Sequence, residues 1–294
     1  MTSTSMRGRA GRLARVGVAT LALGVLAGCA SSAASAPDLE QLEPPAAAPE
    51  VVTLGILGDS MSLGVNACQE PGQCAEVSWS GGTDPAVGSI ALRLAAASGV
   101  EPKVVNAAKD GGDVGDALDR VDEVIQAGPQ LVTVLLGGND ACKPTLEEMT
   151  PAAEYEVQLT ELFGRLNAEA PEATILALSV PDLYRLWDIG RADPRAVQTW
   201  NSSPSCSNLL GDADDDSAEA TARRDAVAAR VDEFNAAIAR VCAAAERCID
   251  DGGAVFAYDF SADEISGIDF FHPSVAGQRV IAQLAWEALE GGSQ

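Results

Sequence analysis

The sequence predicts an α/β fold in which a parallel sheet of five strands is covered by helices on both faces. Three observations lead there. Short runs such as "VVTLGIL", "LVTVLL" and "ATILALSV" are apolar throughout and rich in β-branched residues, as strands buried on both sides must be. Between them lie longer segments such as "VGDALDRVDEVIQAG", whose apolar residues recur at helical spacing. Strand and helix alternate along the chain without an internal repeat, the connectivity of a sheet built from crossover units.

The chain begins with a segment that does not belong to this fold. Basic residues in "MRGRAGRLAR" precede the apolar run "VGVATLALGVLAGC", which ends in small residues. This is the pattern of a secretory signal over residues 1–28, its apolar region too short and wrongly flanked for a spanning helix. No consecutive arginine pair precedes the run, so a general secretion route is expected. "LAGC", Leu26 to Cys29, resembles the bacterial lipobox, which implies that Cys29 is diacylated and becomes the first mature residue. Two acyl chains anchor stably where one does not. The expected location is therefore the outer face of the cytoplasmic membrane or the cell envelope, with Cys29 as the link to the membrane. Residues 29–50 are rich in Ala, Ser and Pro without apolar periodicity and read as a tether.

The folded part is expected over 51–290. Its first strand, 51–57, stops at Gly58, and "GSIALRLAAAS" (88–98) has helical spacing. A second strand follows over 102–108. The helix at 114–128 puts Leu118, Val121, Val124 and Ile125 on one face and stops at Gly128-Pro129. A third strand spans 131–136, a long helix runs from about 147 to 169, and a fourth strand covers 173–180. The rhythm then breaks over 181–217, which reads as an insertion folded over the domain. A long amphipathic helix at 218–248, a fifth strand "AVFAY" at 254–258 and a last helix at 274–289 complete the chain.

Hydrophobic residues make up 47% of the chain, enough for a sizeable core, and the net charge is −24. A surface so acidic repels nucleic acid and anionic headgroups, which excludes those partners. Nothing in the sequence demands a second chain, and a monomer is expected. Cys29 aside, six cysteines remain in a chain that reads as exported: Cys68, Cys74, Cys142, Cys206, Cys242 and Cys248. That predicts disulfides, although six cysteines allow fifteen pairings. The close pairs Cys68 with Cys74 and Cys242 with Cys248 are the natural local bridges, leaving Cys142 to Cys206. By loop-closure entropy the last bridge contributes most, about 4 kcal/mol against roughly 2–2.5 for a short ring. A metal site is the competing reading, but there is no C-x-x-C spacing to support it.

Ligands of an open parallel sheet bind at the carboxyl ends of its strands, and the polar oddities of this sequence gather there. "GDSMS" follows the first strand, with Ser60 at a tight turn; "NAAKDGGD" follows the second, with Gly111 and Gly112; "GGND", Gly137 to Asp140, follows the third. Just before the last helix comes "DFFHP", with Asp269 and His272, the only histidine of the chain. Singly, each has an ordinary role as a cap or a turn. All four in this order, at adjacent element ends and with the only histidine at the last, are hard to obtain by accident.

This order resembles the SGNH/GDSL hydrolase family. "GDSM" is similar to its first block, with Met61 in place of the usual leucine, and the resemblance implies that Ser60 is the nucleophile. It implies further that Ser60 and Gly111 lend backbone N–H groups, and Asn139 its side-chain amide, to an oxyanion hole, while Asp269 and His272 complete the triad. "SWSGGTDPAVGS", "PDLYRLW" and "FHPSVAGQ" are similar to secreted actinobacterial members, so the resemblance covers about residues 51–289. The implied fold is a three-layer α/β/α sandwich of flavodoxin type. The implied activity is hydrolysis of an acyl ester, of a lipid or an acylated sugar, through an acyl-serine, with no cofactor and no metal. Glycine at 111 is expected because a side chain there would crowd the approach of backbone to substrate.

Two further groups of residues stand out in the sequence. Tyr184, Leu186, Trp187, Trp200, Phe270 and Phe271 fall in or near loops expected to flank Ser60, where they would line an acyl groove or pack the insertion, with Phe270 and Phe271 the better candidates. "GDADDD" alternates Asp212, Asp214 and Asp216, but an EF-hand loop would need glycine at 217 and glutamate at 223, where Ser217 and Arg223 stand; it reads as a solvated acidic turn. Beside the esterase stand two other readings: a carbohydrate O-deacetylase or acyltransferase on the same triad, and a non-catalytic surface lipoprotein. The intact set Ser60, Asn139, Asp269 and His272 argues against the last.

Overall fold

The computed structural model describes residues 52–292. The expected signal peptide, the expected lipidation residue Cys29 and the expected tether lie outside the described residues. No helix among the described residues is long and apolar enough to cross a membrane.

Five strands, β1 (Thr53–Gly58), β2 (Lys103–Asn106), β3 (Leu131–Leu135), β4 (Thr174–Ala177) and β5 (Cys248–Asp250), form one sheet in the order β2-β1-β3-β4-β5. Every pairing is parallel. The central strands β1 and β3 are buried along their whole length, as their unbroken apolar sequences require, whereas β2 and β5 at the edges are half-buried or exposed. The helices are α1 (Ile90–Ser98), α2 (Val114–Ile125), α3 (Gly138–Ala141), α4 (Ala152–Glu169), α5 (Leu183–Gly190), α6 (Pro194–Asn201), α7 (Ser207–Leu210), α8 (Ala218–Ala244), α9 (Ala254–Ala257) and α10 (Val275–Gly292).

Two apolar clusters divide between the faces of the sheet. On one face Val121 of α2, Leu162 and Phe163 of α4 and Phe234 of α8 pack with Val132, Val134 and Ile175 of the strands. On the other, Ile90 and Leu94 of α1 and Ile281 and Trp286 of α10 meet Leu54, Ile56 and Leu176. This is the three-layer α/β/α architecture the sequence predicts.

The fifth strand departs from expectation. Residues 254–257 form α9, a short helix, and the strand is Cys248–Asp250 instead. A five-residue apolar run fits a buried helical turn as well as a strand, and periodicity cannot separate the two. The turn between them decides the matter. Gly252 and Gly253 both adopt positive φ, 61° and 82°, and the buried Asp251 carboxylate accepts from the N–H groups of Gly253 and Val255 at the start of α9. The long helix α8 stops at Ala244, earlier than the expected 248, and Cys248 instead pairs with Ile175 in the sheet.

The three disulfides are Cys68–Cys74, Cys142–Cys206 and Cys242–Cys248. Residues 181–217 hold the short helices α5, α6 and α7. The acidic turn within them is bound by guanidinium groups. Arg223 donates to the carbonyls of Ser207, Asn208 and Gly211, and the fully buried Arg224 donates to those of Leu209, Asp212 and Asp215.

Candidate active site

The chain leaves β1 at Gly58, where an added Cβ would stand 2.3 Å from the Ser62 Oγ, so only glycine fits. Asp59 then caps a single helical turn, Ser60–Leu63, its Oδ1 accepting from the Met61 N–H at 2.9 Å. That turn presents Ser60 at the carboxyl edge of the sheet, almost buried. Asn139 lies in α3, directly after β3. Because β1 and β3 are neighbours in the order 2-1-3-4-5, Ser60 and Asn139 flank the topological switch point, where such sheets bind ligands.

Asp269 and His272 arrive from the far end of the chain, on the loop before α10. The His272 Nε2 lies 2.8 Å from the Ser60 Oγ, and its Nδ1 lies 2.5 Å from the Asp269 Oδ2. The Asp269 Oδ1 accepts from the N–H groups of Phe271 and His272, at 2.9 and 3.1 Å, which folds the loop so that carboxylate and imidazole face each other. Burial pushes the Asp269 carboxyl up, but the His272 ring, the Asn66 amide and the Phe271 N–H together hold it below its ordinary value. An ionised carboxylate only accepts, so Nδ1 carries the hydrogen and Nε2 is left to accept from the serine hydroxyl.

The expected oxyanion donors gather at the same place. Gly111, Asn139, Ser60 and His272 line one cavity of about 250 Å³. The Asn139 amide donates to the Gly112 carbonyl at 3.0 Å and, at the long distance of 3.4 Å, to the Asp59 Oδ2. The requirement for glycine at 111 is conformational. An added Cβ would meet nothing within 4 Å, but φ is +69°, in the left-handed region that favours glycine.

Two buried carboxyls stand behind this edge. Burial pushes Asp59 up from its ordinary 3.8 to about 7, against the Met61 N–H, whose hydrogen bond favours ionisation. Burial likewise pushes Asp140 up to about 6.

Three contributors were not foreseen from the sequence. Asn66 donates its amide to the Asp269 Oδ2 at 2.6 Å, the oxygen that also accepts from His272. It sits at φ +55°, beside the ring closed by Cys68–Cys74. Gln278, fully buried in α10, accepts from the Trp79 N–H and donates to the Met61 carbonyl, both at 2.9 Å, and so ties the serine turn to the last helix. Asp59, part of the quoted "GDSM", also contacts Asn139. Asn66 is separated by 203 residues from its partner, and an asparagine in a turn carries no local signal of such a contact.

The aromatic candidates divide. Leu186 and Phe271 line a second, apolar cavity against Ser60, and Trp200 and Phe271 line the larger one. Trp187 is buried between the guanidinium groups of Arg191 and Arg224, with Tyr184 packed edge-on against it. Phe270, at φ +55°, turns to a separate cavity and meets Arg195, so of the two favoured phenylalanines only Phe271 faces the serine.

The family model described as "GDSL-like Lipase/Acylhydrolase family" matches residues 56–280. Among solved structures, a lipase/acylhydrolase from Enterococcus faecalis is similar at 20% identity and a TM-score of 0.52, covering 82% of this chain and 96% of its own. Axe2, an acetylxylan esterase from Geobacillus stearothermophilus, is similar at 17% identity and a TM-score of 0.51, covering 81% and 93%. No curated protein sequence matches the chain.

Proposed function

Because this chain belongs to the GDSL-like lipase/acylhydrolase family and is a carboxylic ester hydrolase, we propose that it cleaves its ester in two steps through an acyl-Ser60 intermediate. The observation that carries the proposal is the position of His272, with one ring nitrogen 2.8 Å from the Ser60 Oγ and the other 2.5 Å from Asp269. In the first step the serine oxygen attacks the acyl carbon while its proton passes to the His272 Nε2. The negative oxygen that results is met by the N–H groups of Ser60 and Gly111 and by the Asn139 amide, which turns from its long contact with Asp59. The imidazolium, stabilised by Asp269, returns the proton to the departing alcohol. Water then attacks the acyl-serine with His272 again as base, and serine is regenerated.

The test is hydrolysis of p-nitrophenyl acetate and butyrate by residues 37–294 made under disulfide-forming conditions. Ser60→Ala and His272→Ala are each expected to lower kcat by about 10⁴-fold or more. A His272→Ala protein with most of its activity intact defeats the scheme, since no second histidine can substitute.

A second reading, a carbohydrate O-deacetylase, is favoured by the hydroxyl-bearing Thr199, Ser203 and Ser205 and by Asp110 in the larger cavity, which suit a polyhydroxylated alcohol. We further propose that the enzyme acts outside the cytoplasmic membrane, anchored by lipid on Cys29, a reading supported by the leader sequence "LAGC". Metabolic incorporation of a tagged fatty acid is expected in the wild type and not in Cys29→Ser; equal labelling of both removes the anchor.

A further inference from the structure

Two cavities meet at Ser60, and they differ in chemistry. The larger, about 250 Å³, carries Asp110, Thr199, Ser203 and Ser205. The smaller, about 60 Å³, is walled by aliphatic and aromatic side chains, among them Met61, Leu183, Leu186, Ile189 and Phe271. Both reach His272 and Asn139, so both open on the reacting atoms. An ester presents two arms to its nucleophile, an acyl chain and an alcohol. A hydroxylated alcohol in the apolar slot would leave its hydroxyls unpaired, whereas a hydrocarbon chain there loses nothing but water contact. The acyl arm therefore belongs to the small slot, and the alcohol to the larger cavity, where Asp110, Thr199, Ser203 and Ser205 stand among Trp200, Leu210 and Phe271 and can pair its hydroxyls.

The slot is short. A dry cavity of about 150 Å³ holds the six carbons of benzene, so about 60 Å³ accommodates roughly two or three carbons beyond the carbonyl. What closes it is also visible. Leu186, Ile189 and Ile265 line this slot and, on their other side, a separate cavity of about 240 Å³ that contains Asp193, Arg195 and Phe270. These three side chains are the partition between the two spaces. Leu186 is almost buried, while Ile189, on the same helix α5, is only partly so.

Building on the acyl-Ser60 reading, we propose that the enzyme is selective for short acyl groups, from acetyl to butyryl, and that Ile189 is a specificity-determining residue that ends the acyl slot. A longer chain would have to displace the partition. Removing the Ile189 side chain joins the slot to the cavity behind it, and enlarging that side chain shortens the slot further.

The experiment compares kcat/KM for p-nitrophenyl acetate, butyrate and octanoate, so that the leaving alcohol is constant, in the wild type, Ile189→Ala, Ile189→Phe and Ser60→Ala. Wild-type activity is expected to fall by about tenfold or more from butyrate to octanoate, the order of discrimination one pocket boundary supplies. Ile189→Ala is expected to raise the octanoate-to-butyrate ratio by about fivefold or more, and Ile189→Phe to lower the butyrate-to-acetate ratio by about threefold or more. Wild-type protein that hydrolyses octanoate as fast as butyrate overturns the proposal whatever the variants do. So does an unchanged chain-length profile in Ile189→Ala and Ile189→Phe proteins that melt as the wild type does. Activity that survives in Ser60→Ala, or a folded wild type inert to all three esters, overturns instead the acyl-serine reading on which the proposal rests.

Discussion

The Asp269 Oδ2 accepts from two donors, the His272 ring and the Asn66 amide, and only the first belongs to the triad. Asn66 touches no reacting atom, so its effect passes through Asp269, which makes it a positioning residue. Its φ of +55° means that most substitutions would add backbone strain, but glycine tolerates that conformation. Asn66→Gly therefore removes the amide without that strain, taking away its bond to Asp269 together with the one its Oδ1 accepts from the Gly72 N–H. Loss of one hydrogen bond to a charged group is expected to lower kcat by about tenfold with KM little changed, read from steady-state hydrolysis of p-nitrophenyl butyrate. An equal loss spread over kcat and KM would mean that Asn66 shapes the binding cavity instead.

Among the elements, the segment after β3 is held from two sides. Cys142, directly after α3, is bonded to Cys206 at the start of α7. Beside that bridge Asn208, almost fully buried, donates to the Ala141 carbonyl at 2.7 Å and accepts from the Lys143 N–H at 3.2 Å. Asn139 and the helices α5 to α7 are thereby fastened to one another across 64 residues of chain. A bridge closing a ring of this length constrains the unfolded chain most. The double variant Cys142→Ser, Cys206→Ser is expected to lose about 4 kcal/mol, and Cys68→Ser, Cys74→Ser roughly 2 kcal/mol. Urea unfolding at fixed pH measures both, and a reversed order would show that loop closure does not govern their contribution.

For the whole molecule the relevant variable is pH. Asp59 is raised by burial from 3.8 to about 7 and Asp140 to about 6. Between those limits the native state holds protons that the unfolded state has released, so stability falls as pH rises. The contribution of Asp59 is fully present below about pH 4 and lost by the time pH passes about 7; the shift corresponds to about 4 kcal/mol at most. Asp269, held below its ordinary value, acts in the opposite sense, but its window lies below about pH 4. The acidic surface adds like-charge repulsion that also grows with pH. Asp59→Asn separates the two effects: it keeps an acceptor for the Met61 N–H but cannot ionise. The wild type is expected to unfold at lower urea at pH 8 than at pH 5, and the variant to show a clearly smaller difference. Identical slopes would assign the whole effect to the surface.

The sequence by itself determined the α/β class and four of the five strands, and it pointed to the two close cysteine pairs, because buried strands, amphipathic helices and cysteines six residues apart leave local signals. The Cys142–Cys206 bridge, across 64 residues, has no such signal and followed only by elimination among fifteen pairings. The sequence also pointed to residues that the fold brings to one edge. Ser60, Asn139 and the loop with Asp269 and His272 each sit at the end of an element, and a parallel sheet brings such ends to one edge. The fifth strand escaped because "AVFAY" suits helix and strand alike, and the glycines before it decided between them. Only the tertiary structure could decide that Asn66 holds Asp269, that Gln278 ties the serine turn to α10, that Phe271 and not Phe270 faces Ser60, and that Ile189 stands between two cavities. Each of these is a contact between distant segments or a property of empty space, and neither has a period along the chain.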